Sequence, residues 1–247
     1  MKVFDTHIHS EGRSVEDLEE MRRSGIFKAV TCAFYPIVPR YPETLLDHFR
    51  KLSTFEVDRA KSAGMELLPA LGIHPRCIPP KHEVVLKNIE EFEFVAFGEI
   101  GLETANDLEV EVFVEQLKIA KRLDKPCIIH TPKRGKVEVT EKTLELLQKV
   151  GFPGDLAIVD HVTKETIEMV LKAGYFAGLT VQVGKLSVED VHEIVSKHGF
   201  ERVVINSDTG FDRADKLATI RAVEYLAEKF EEKDVEKLAF KNAKSIF

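Results

Sequence analysis

Eight strand-like apolar runs recur along the sequence, and helix-like segments separate them. Several runs are almost continuously apolar, which is typical of parallel strands buried on both faces. Eight such repeats in 247 residues predict an α/β fold of the (β/α)8 TIM-barrel type, as one domain over residues 1–247. An open doubly wound sheet would need a glycine-rich phosphate loop after an early strand, and the sequence has none. The predicted strands are Lys2–His9, Phe27–Phe34, Glu66–Gly72, Phe94–Glu99, Cys127–His130, Leu156–His161, Phe176–Val181 and Arg202–Ser207.

Helices are predicted between these strands. Ser14, Thr163 and Ser187 are the kind of residue that caps a helix N-terminus, and acidic residues follow Ser14 and Ser187. The predicted helices are Leu18–Arg23, Pro42–Ala63, Leu108–Leu123, Thr140–Val150, Glu165–Lys172, Val188–His198, Ala214–Lys229 and about Asp234–Ala243.

Polar, metal-binding side chains stand where the predicted strands end, which is the working face of a TIM barrel. The first strand ends in His7-Ile8-His9, and alternation places both imidazoles on one face, with Asp5 on the same face as a candidate to orient a ligand. Taken singly, these residues also have structural explanations: Asp208 could cap a helix near Phe211, and a strand-end histidine could bond a neighbour. Together, six predicted ligands converge: His7, His9, Glu99, His130, His161 and Asp208.

This ligand set indicates the kind of metal centre. Histidine and carboxylate ligands without cysteine suit Zn, Mn or Mg. Six ligands are too many for one catalytic zinc with an open position, so two divalent ions roughly 3.5–4 Å apart are expected.

The net charge and the hydropathy of the sequence limit the kinds of partner that the protein can bind. A net charge of −7 argues against a broad basic surface that would hold duplex nucleic acid. No apolar run approaches the roughly 18 residues of a membrane span, and residues 1–20 lack a signal-peptide pattern, so we expect a cytoplasmic protein without a membrane partner.

In combination, several segments resemble the TatD family of metal-dependent hydrolases, within the amidohydrolase-like barrels. They are Asp5-Thr6-His7-Ile8-His9, Gly72-Ile73-His74-Pro75, Gly98-Glu99-Ile100-Gly101-Leu102, the stretch from Phe113 to His130, and Asn242-Ala243 with Phe247. The sequence departs from the family pattern after two ligands, at Ser10–Arg13 and Val162–Lys164, and around the ligand of the eighth strand, at Asn206–Gly210.

The resemblance implies a division of the ligands. His7, His9 and Asp208 would hold one ion, His130 and His161 the other, and Glu99 would bridge them.

The expected function is hydrolysis of phosphate esters, with a nucleic-acid end or another phosphate ester as substrate. Asp208 is expected to be the general base, and His74 to contact the substrate or leaving oxygen. Lys133 and Arg134 follow ligand His130 and are expected to bind phosphate. A C–N or C–O hydrolase (amidase, deaminase or lactonase) stays open, because the same ligands serve both chemistries, and so does a metal-binding scaffold without activity. The oligomeric state is not readable.

Overall fold

The computed structural model describes residues 1–211 and 213–247. Eight parallel strands form one sheet in sequence order, each hydrogen-bonded to the next. The strands are β1 (Val3–Ile8), β2 (Ile26–Cys32), β3 (Glu66–Leu71), β4 (Ala96–Gly101), β5 (Cys127–His130), β6 (Ala157–Val159), β7 (Phe176–Thr180) and β8 (Val203–Asn206). This architecture confirms the predicted (β/α)8 TIM barrel, with strand ends shifted by up to two residues.

The sheet closes between its last strand and its first. The backbone N–H of Asp208 donates to the carbonyl of His7 at 2.9 Å, and that of His9 donates to Thr209 at 2.7 Å. Asp5 also joins these strands, since its Oδ1 accepts from the backbone N–H of Ser207 at 3.1 Å. The closing contacts therefore bring the loop after β8 beside the His-x-His pair.

Helices surround the strands, and most predicted helices are present with shifted ends. The predicted helix Pro42–Ala63 is continuous but contains a π-helical turn, Leu52–Glu56, and a second π-helical turn, Lys237–Lys241, interrupts the last helical stretch. The α-helices are α1 (Val15–Ser24), α2 (Pro42–Lys51), α3 (Val57–Ser62), α4 (His82–Asn88), α5 (Asp107–Arg122), α6 (Lys136–Val150), α7 (Ile167–Lys172), α8 (Val188–His198), α9 (Ala218–Ala227), α10 (Glu232–Glu236) and α11 (Asn242–Ile246). Helix α4 was not predicted, and α6 begins four residues earlier than predicted.

The capping predictions have mixed outcomes. Ser14 and Ser187 each form a capping box, which confirms both predicted caps. The start of α8 is as predicted, whereas α1 begins at Val15, three residues before the predicted Leu18. Thr163 is not an N-cap, because α7 begins at Ile167 and its N-cap position is Thr166. Asp208 does not cap a helix either, since α9 begins only at Ala218.

The barrel interior has an apolar layer to which every strand contributes. Phe4, Ala70, Ile128 and Val204 belong to it, and small residues such as Ala70 allow the strands to approach. Ala243 and Ile246 of α11 join this cluster, and the ring of Phe247 lies 5.6 Å from that of Phe4. The C-terminal helix thus covers the start of β1, at the end of the barrel opposite the predicted ligands. Within the described part of the chain, no helix is long and apolar enough to cross a membrane.

Candidate metal centre

The predicted ligands meet at the carboxyl ends of the strands, around a cavity of about 800 Å³. His9, Glu99, His130, His161 and Asp208 line this cavity, and His7 is fully buried beside them. Their ligand atoms form groups whose members lie within 4.8 Å of one another. The structure therefore assembles the six predicted ligands in one place.

The first group comprises His7, His9 and Asp208. The Nε2 atoms of the two imidazoles are 3.3 Å apart, and Oδ1 of Asp208 lies 3.1 Å from Nε2 of His9 and 3.5 Å from that of His7. Nδ1 of His7 lies 2.6 Å from a carboxylate oxygen of Asp160, and Nδ1 of His9 lies 2.9 Å from the carbonyl oxygen of Cys32. Both Nδ1 atoms therefore donate, which leaves each neutral imidazole with a lone pair on Nε2.

These tautomers make the first group a binding site for a cation. Two nitrogen lone pairs and a carboxylate oxygen point at the same space, where they repel one another unless a positive charge lies between them. Histidine nitrogen and carboxylate oxygen are ligands that Zn and Mn accept. The residues present fit a divalent metal ion.

The second group comprises Glu99, His130 and His161. Oε1 of Glu99 lies 2.7 Å from Nδ1 of His130 and 2.9 Å from Nε2 of His161. Its other oxygen, Oε2, lies 3.5 Å from Nε2 of His7. The two oxygens of Glu99 therefore face different groups, as a carboxylate between two ions would.

The outer nitrogens of the second group also have partners. Nε2 of His130 lies 2.8 Å from Oε2 of Glu103, and Nδ1 of His161 lies 2.8 Å from Oγ1 of Thr180. When Nε2 of His130 donates to Glu103, Nδ1 of His130 keeps a lone pair toward the cavity. Nδ1 of His161 can donate to Thr180, which leaves the lone pair on Nε2, or accept from the Lys185 ammonium 3.1 Å away. Glu103 and Thr180 were not predicted, because nothing in their sequence neighbourhood distinguishes them from other surface or strand residues.

Asp160, and not Asp5, orients the first histidine. Oδ1 of Asp160 accepts from the backbone N–H of His161 and from Nδ2 of Asn206, so Oδ2 is left for His7. Asp5, the predicted candidate, contacts the backbone of the first histidine and not its ring: its Oδ1 accepts from the backbone N–H groups of His7 and Ser207. Gly178 makes room for Asp160, because a Cβ there would lie 2.1 Å from Oδ1.

Two of the predicted ligands occupy unusual backbone conformations. His161 and Asp208 have φ values of 56° and 46°, in the left-handed region that non-glycine residues rarely adopt. Lys136 supports the first of these, since its Nζ donates to the carbonyl oxygens of His161 and Thr131 at 2.7 and 3.0 Å. Strained residues held in this way are a feature of functional sites.

His74 lies in one group with Glu99 and His130, and its tautomer makes it a donor toward the cavity. Nδ1 of His74 accepts from the backbone N–H of Arg76 at 3.0 Å, so the hydrogen of the neutral ring is on Nε2. Burial, with a contribution from His130, holds the pKa of His74 well below its usual value, so the ring is neutral. Nε2 lies 3.6 Å from Oε2 of Glu99 and can donate into the cavity.

Basic side chains lie at the rim of the cavity and inside it. Lys133 and Arg134 are exposed and line the cavity, as predicted from their position after β5. Lys136, by contrast, is engaged in hydrogen bonds to the backbone. A further cation, Lys185, was missed: its Nζ contacts Oδ2 of Asp208 and lies 3.1 Å from Nδ1 of His161. It is 23 residues from Asp208 in sequence, and only the fold brings them together.

The electrostatics of the site favour a positive charge at its centre. Burial alone would lower the pKa of His7, but neighbouring groups, among them Glu99 and Asp208, hold it well above the usual value. The Cys32 thiol also adjoins His7, but burial raises its pKa to about 11, so the carboxylates are the relevant charges at neutral pH. The pKa of Glu99 and that of Asp208 are held well below the usual range despite burial, in both cases with His7 as the largest favourable influence.

Comparison with known proteins places this chain in a family. The family model described as TatD related DNase matches residues 4–247. An uncharacterized metal-dependent hydrolase of Methanocaldococcus jannaschii is 37% identical over 251 residues, which cover 99% of each chain. A human deoxyribonuclease is 28% identical over 131 residues, 44% of this chain and 46% of that protein.

A solved structure gives the same result. The crystal structure of a TatD-like protein from Archaeoglobus fulgidus superposes with a TM-score of 0.87 at 46% identity, over 98% of this chain and 99% of that chain. The resemblance inferred from the strand-end motifs is thus confirmed over nearly the whole length. The chain therefore belongs to the TatD-related DNase family of metal-dependent hydrolases.

Proposed function

We propose that this enzyme is a phosphoesterase with two divalent metal ions, acting on a nucleic-acid end or another phosphate ester. The observation that carries the proposal is Glu99, whose two oxygens divide between two adjacent groups of metal-binding atoms. A phosphoryl group held against both groups would be contacted from two sides, which is the arrangement of two-metal phosphoesterases.

We assign the ligands from their contacts with one another. His7, His9 and Asp208 form the site for one ion. His130 and His161, which both contact Oε1 of Glu99, form the site for the other, with Glu99 as the bridge. Zn, Mn or Mg suits this set of nitrogen and oxygen ligands. When bound, such ions would polarise the phosphoryl group and lower the pKa of an attacking water.

Asp208 is the general base in this proposal. Oδ1 faces His7 and His9 at the cavity, and the depressed pKa keeps the carboxylate ionised and able to accept the proton of water. Oδ2 is held by Lys185, so the carboxylate has a defined orientation. His74, with its hydrogen on Nε2, donates to a substrate or leaving-group oxygen.

Cations at the cavity support an anionic substrate. Lys133 and Arg134 are exposed at its rim in a chain whose net charge is −7. Arg can grip two phosphate oxygens and Lys adds a point charge, whereas a neutral amide or lactone would gain little. The human relative is named a deoxyribonuclease. The end of a nucleic-acid strand would need few phosphate contacts outside the cavity.

The single domain over residues 1–247 and the cytoplasmic location stay predictions.

The proposal is tested by assaying the protein loaded with Zn, Mn or Mg against phosphomonoesters, phosphodiesters, short oligonucleotides, lactones and amides. We expect hydrolysis of phosphate esters that disappears on chelation and returns with metal. The matched control is His82→Ala, which removes a histidine outside the cavity and should leave the rates unchanged. Turnover confined to lactones or amides would replace the proposal with a carbonyl hydrolase on the same barrel.

A further inference from the structure

One wall of the cavity is aromatic, and neither the metal-binding groups nor the phosphate-binding cations account for it. Phe34 follows β2, Phe211 follows β8, and their ring centroids are 6.4 Å apart. The guanidinium of Arg76, which follows β3, lies 5.5 Å from the centre of the Phe34 ring. We call Phe34, Phe211 and Arg76 the aromatic wall.

The aromatic wall is exposed to the cavity. Phe211 is 50% exposed, although burying such a ring would stabilise the fold. Its aromatic neighbours in the described part of the chain are His9, at 5.9 Å, and Phe34. Both neighbours line the cavity, as Phe211 does, so the exposed ring faces the site.

The aromatic wall adjoins the proposed phosphate position. The rings of Phe34 and Phe211 both lie within 6 Å of the His9 ring, at 5.5 and 5.9 Å. Phe34 also packs edge-on against His74, with centroids 4.9 Å apart. A group bound to these rings would therefore sit beside a phosphate that is held at the metal-binding groups and contacted by His74. Such a group would have to be flat and apolar on its faces.

We infer that the aromatic wall is a nucleobase-binding subsite, which gives the enzyme a preference for nucleotides over phosphate esters without a base. The inference rests on the proposed function and specifies its substrate class. Every nucleobase has a π-face that stacks on aromatic rings, and an arginine beside the ring adds a cation–π contribution. A sugar phosphate has no flat group to place there. Stacking of this kind recognises any base, so little sequence preference is expected.

A pair of probes that differ only in the base tests the inference. Binding of dAMP and of 2-deoxyribose 5-phosphate to the metal-loaded protein is measured by calorimetry. Stacking contributes about 1–3 kcal/mol per base, so the wild type should bind dAMP about tenfold or more tightly than the sugar phosphate. Phe211→Ala should bring this ratio close to one, and Phe211→Tyr, which keeps the ring, should retain it. Thermal unfolding of both variants checks that the fold is intact.

Equal affinity of the wild type for the two probes would overturn the inference, as would full preference for dAMP in Phe211→Ala. The proposed function is tested separately, because its measurement is the rate of hydrolysis and not the binding affinity. If no phosphate ester is cleaved but the preference for dAMP follows the ring at position 211, the subsite stands and the proposed reaction fails. If an oligonucleotide and its counterpart with an abasic terminal nucleotide are cleaved equally, the reaction stands and the subsite fails.

Discussion

Oδ2 of Asp160 lies 2.6 Å from Nδ1 of His7, and both side chains are completely buried. Asp160 is held ionised, since neighbouring His161 and the hydrogen bond from His7 keep its pKa below the usual value despite burial. An ionised carboxylate can only accept, so it keeps a hydrogen of His7 on Nδ1 and leaves Nε2 as the nitrogen that a metal ion can bind once any proton there is displaced. Asp160 is therefore a positioning residue for the first metal-binding group.

Asp160→Asn should weaken metal binding at this group. Two N–H donors already face Oδ1, so the new amide nitrogen would point at His7 and force its hydrogen onto Nε2. Loss of such a partner typically costs 10–100-fold in metal affinity. Equilibrium dialysis against Zn²⁺ measures this, with Asp155→Asn, an exposed partner of Arg202, as the control. An unchanged affinity of Asp160→Asn for Zn²⁺ would mean that a group other than Asp160 determines the tautomer of His7.

The protein should bind two divalent ions per chain under saturating Zn or Mn. His130→Ala removes a ligand from the second group only, and should therefore lose one ion and keep the other. Elemental analysis after gel filtration gives the stoichiometry. A wild type that never exceeds one ion per chain would contradict the two-metal proposal.

Asp208→Asn should abolish nearly all turnover while metal stays bound. The amide can offer an oxygen to a metal but cannot accept a proton, so we expect a loss of at least about 10²-fold in kcat. Asn tolerates the left-handed backbone at φ 46°, so the variant should fold. Initial rates and metal content are measured together. Activity within a few-fold of wild type, with metal retained, would assign the base to another group.

Changing both Lys133 and Arg134 to Ala should raise KM for a phosphate ester by about tenfold or more, equivalent to about 1.4 kcal/mol. Turnover of a neutral ester should barely change, because it lacks the charge that these side chains bind. The matched control is Lys87→Ala with Lys244→Ala, two exposed cations outside the cavity. Unaltered phosphate-ester kinetics in the first double variant would remove these residues from the substrate site.

Metal binding at neutral pH should release protons. The pKa of His7 and that of His130 are raised above the usual value, so the metal-free site holds protons that the ion must displace. As pH falls from 7 to 6, the affinity should drop by about tenfold for each proton displaced. Calorimetric titrations in two buffers with different ionisation enthalpies measure the release. A binding heat that does not depend on the buffer would contradict this prediction.

The sequence alone determined the barrel and the residues proposed as ligands. Apolar runs separated by helical segments predict parallel strands, and a parallel barrel has its site at the carboxyl ends of those strands. His7, His9, Glu99, His130 and His161 could therefore be found from their positions at strand ends. These features depend on neighbours a few residues away, which is why local pattern was enough.

Tertiary structure decided which nitrogen each histidine presents and which partners hold it. Asp160 is 153 residues from His7, and the sequence favoured Asp5, which has the same strand parity. Lys185 reaches Asp208, and Glu103 reaches His130, only because the barrel closes and its loops meet above it. Phe34 and Phe211 are 177 residues apart along the chain and form one wall for the same reason. Contacts over such separations leave no periodic trace in the sequence, because their geometry depends on the closure of the whole sheet.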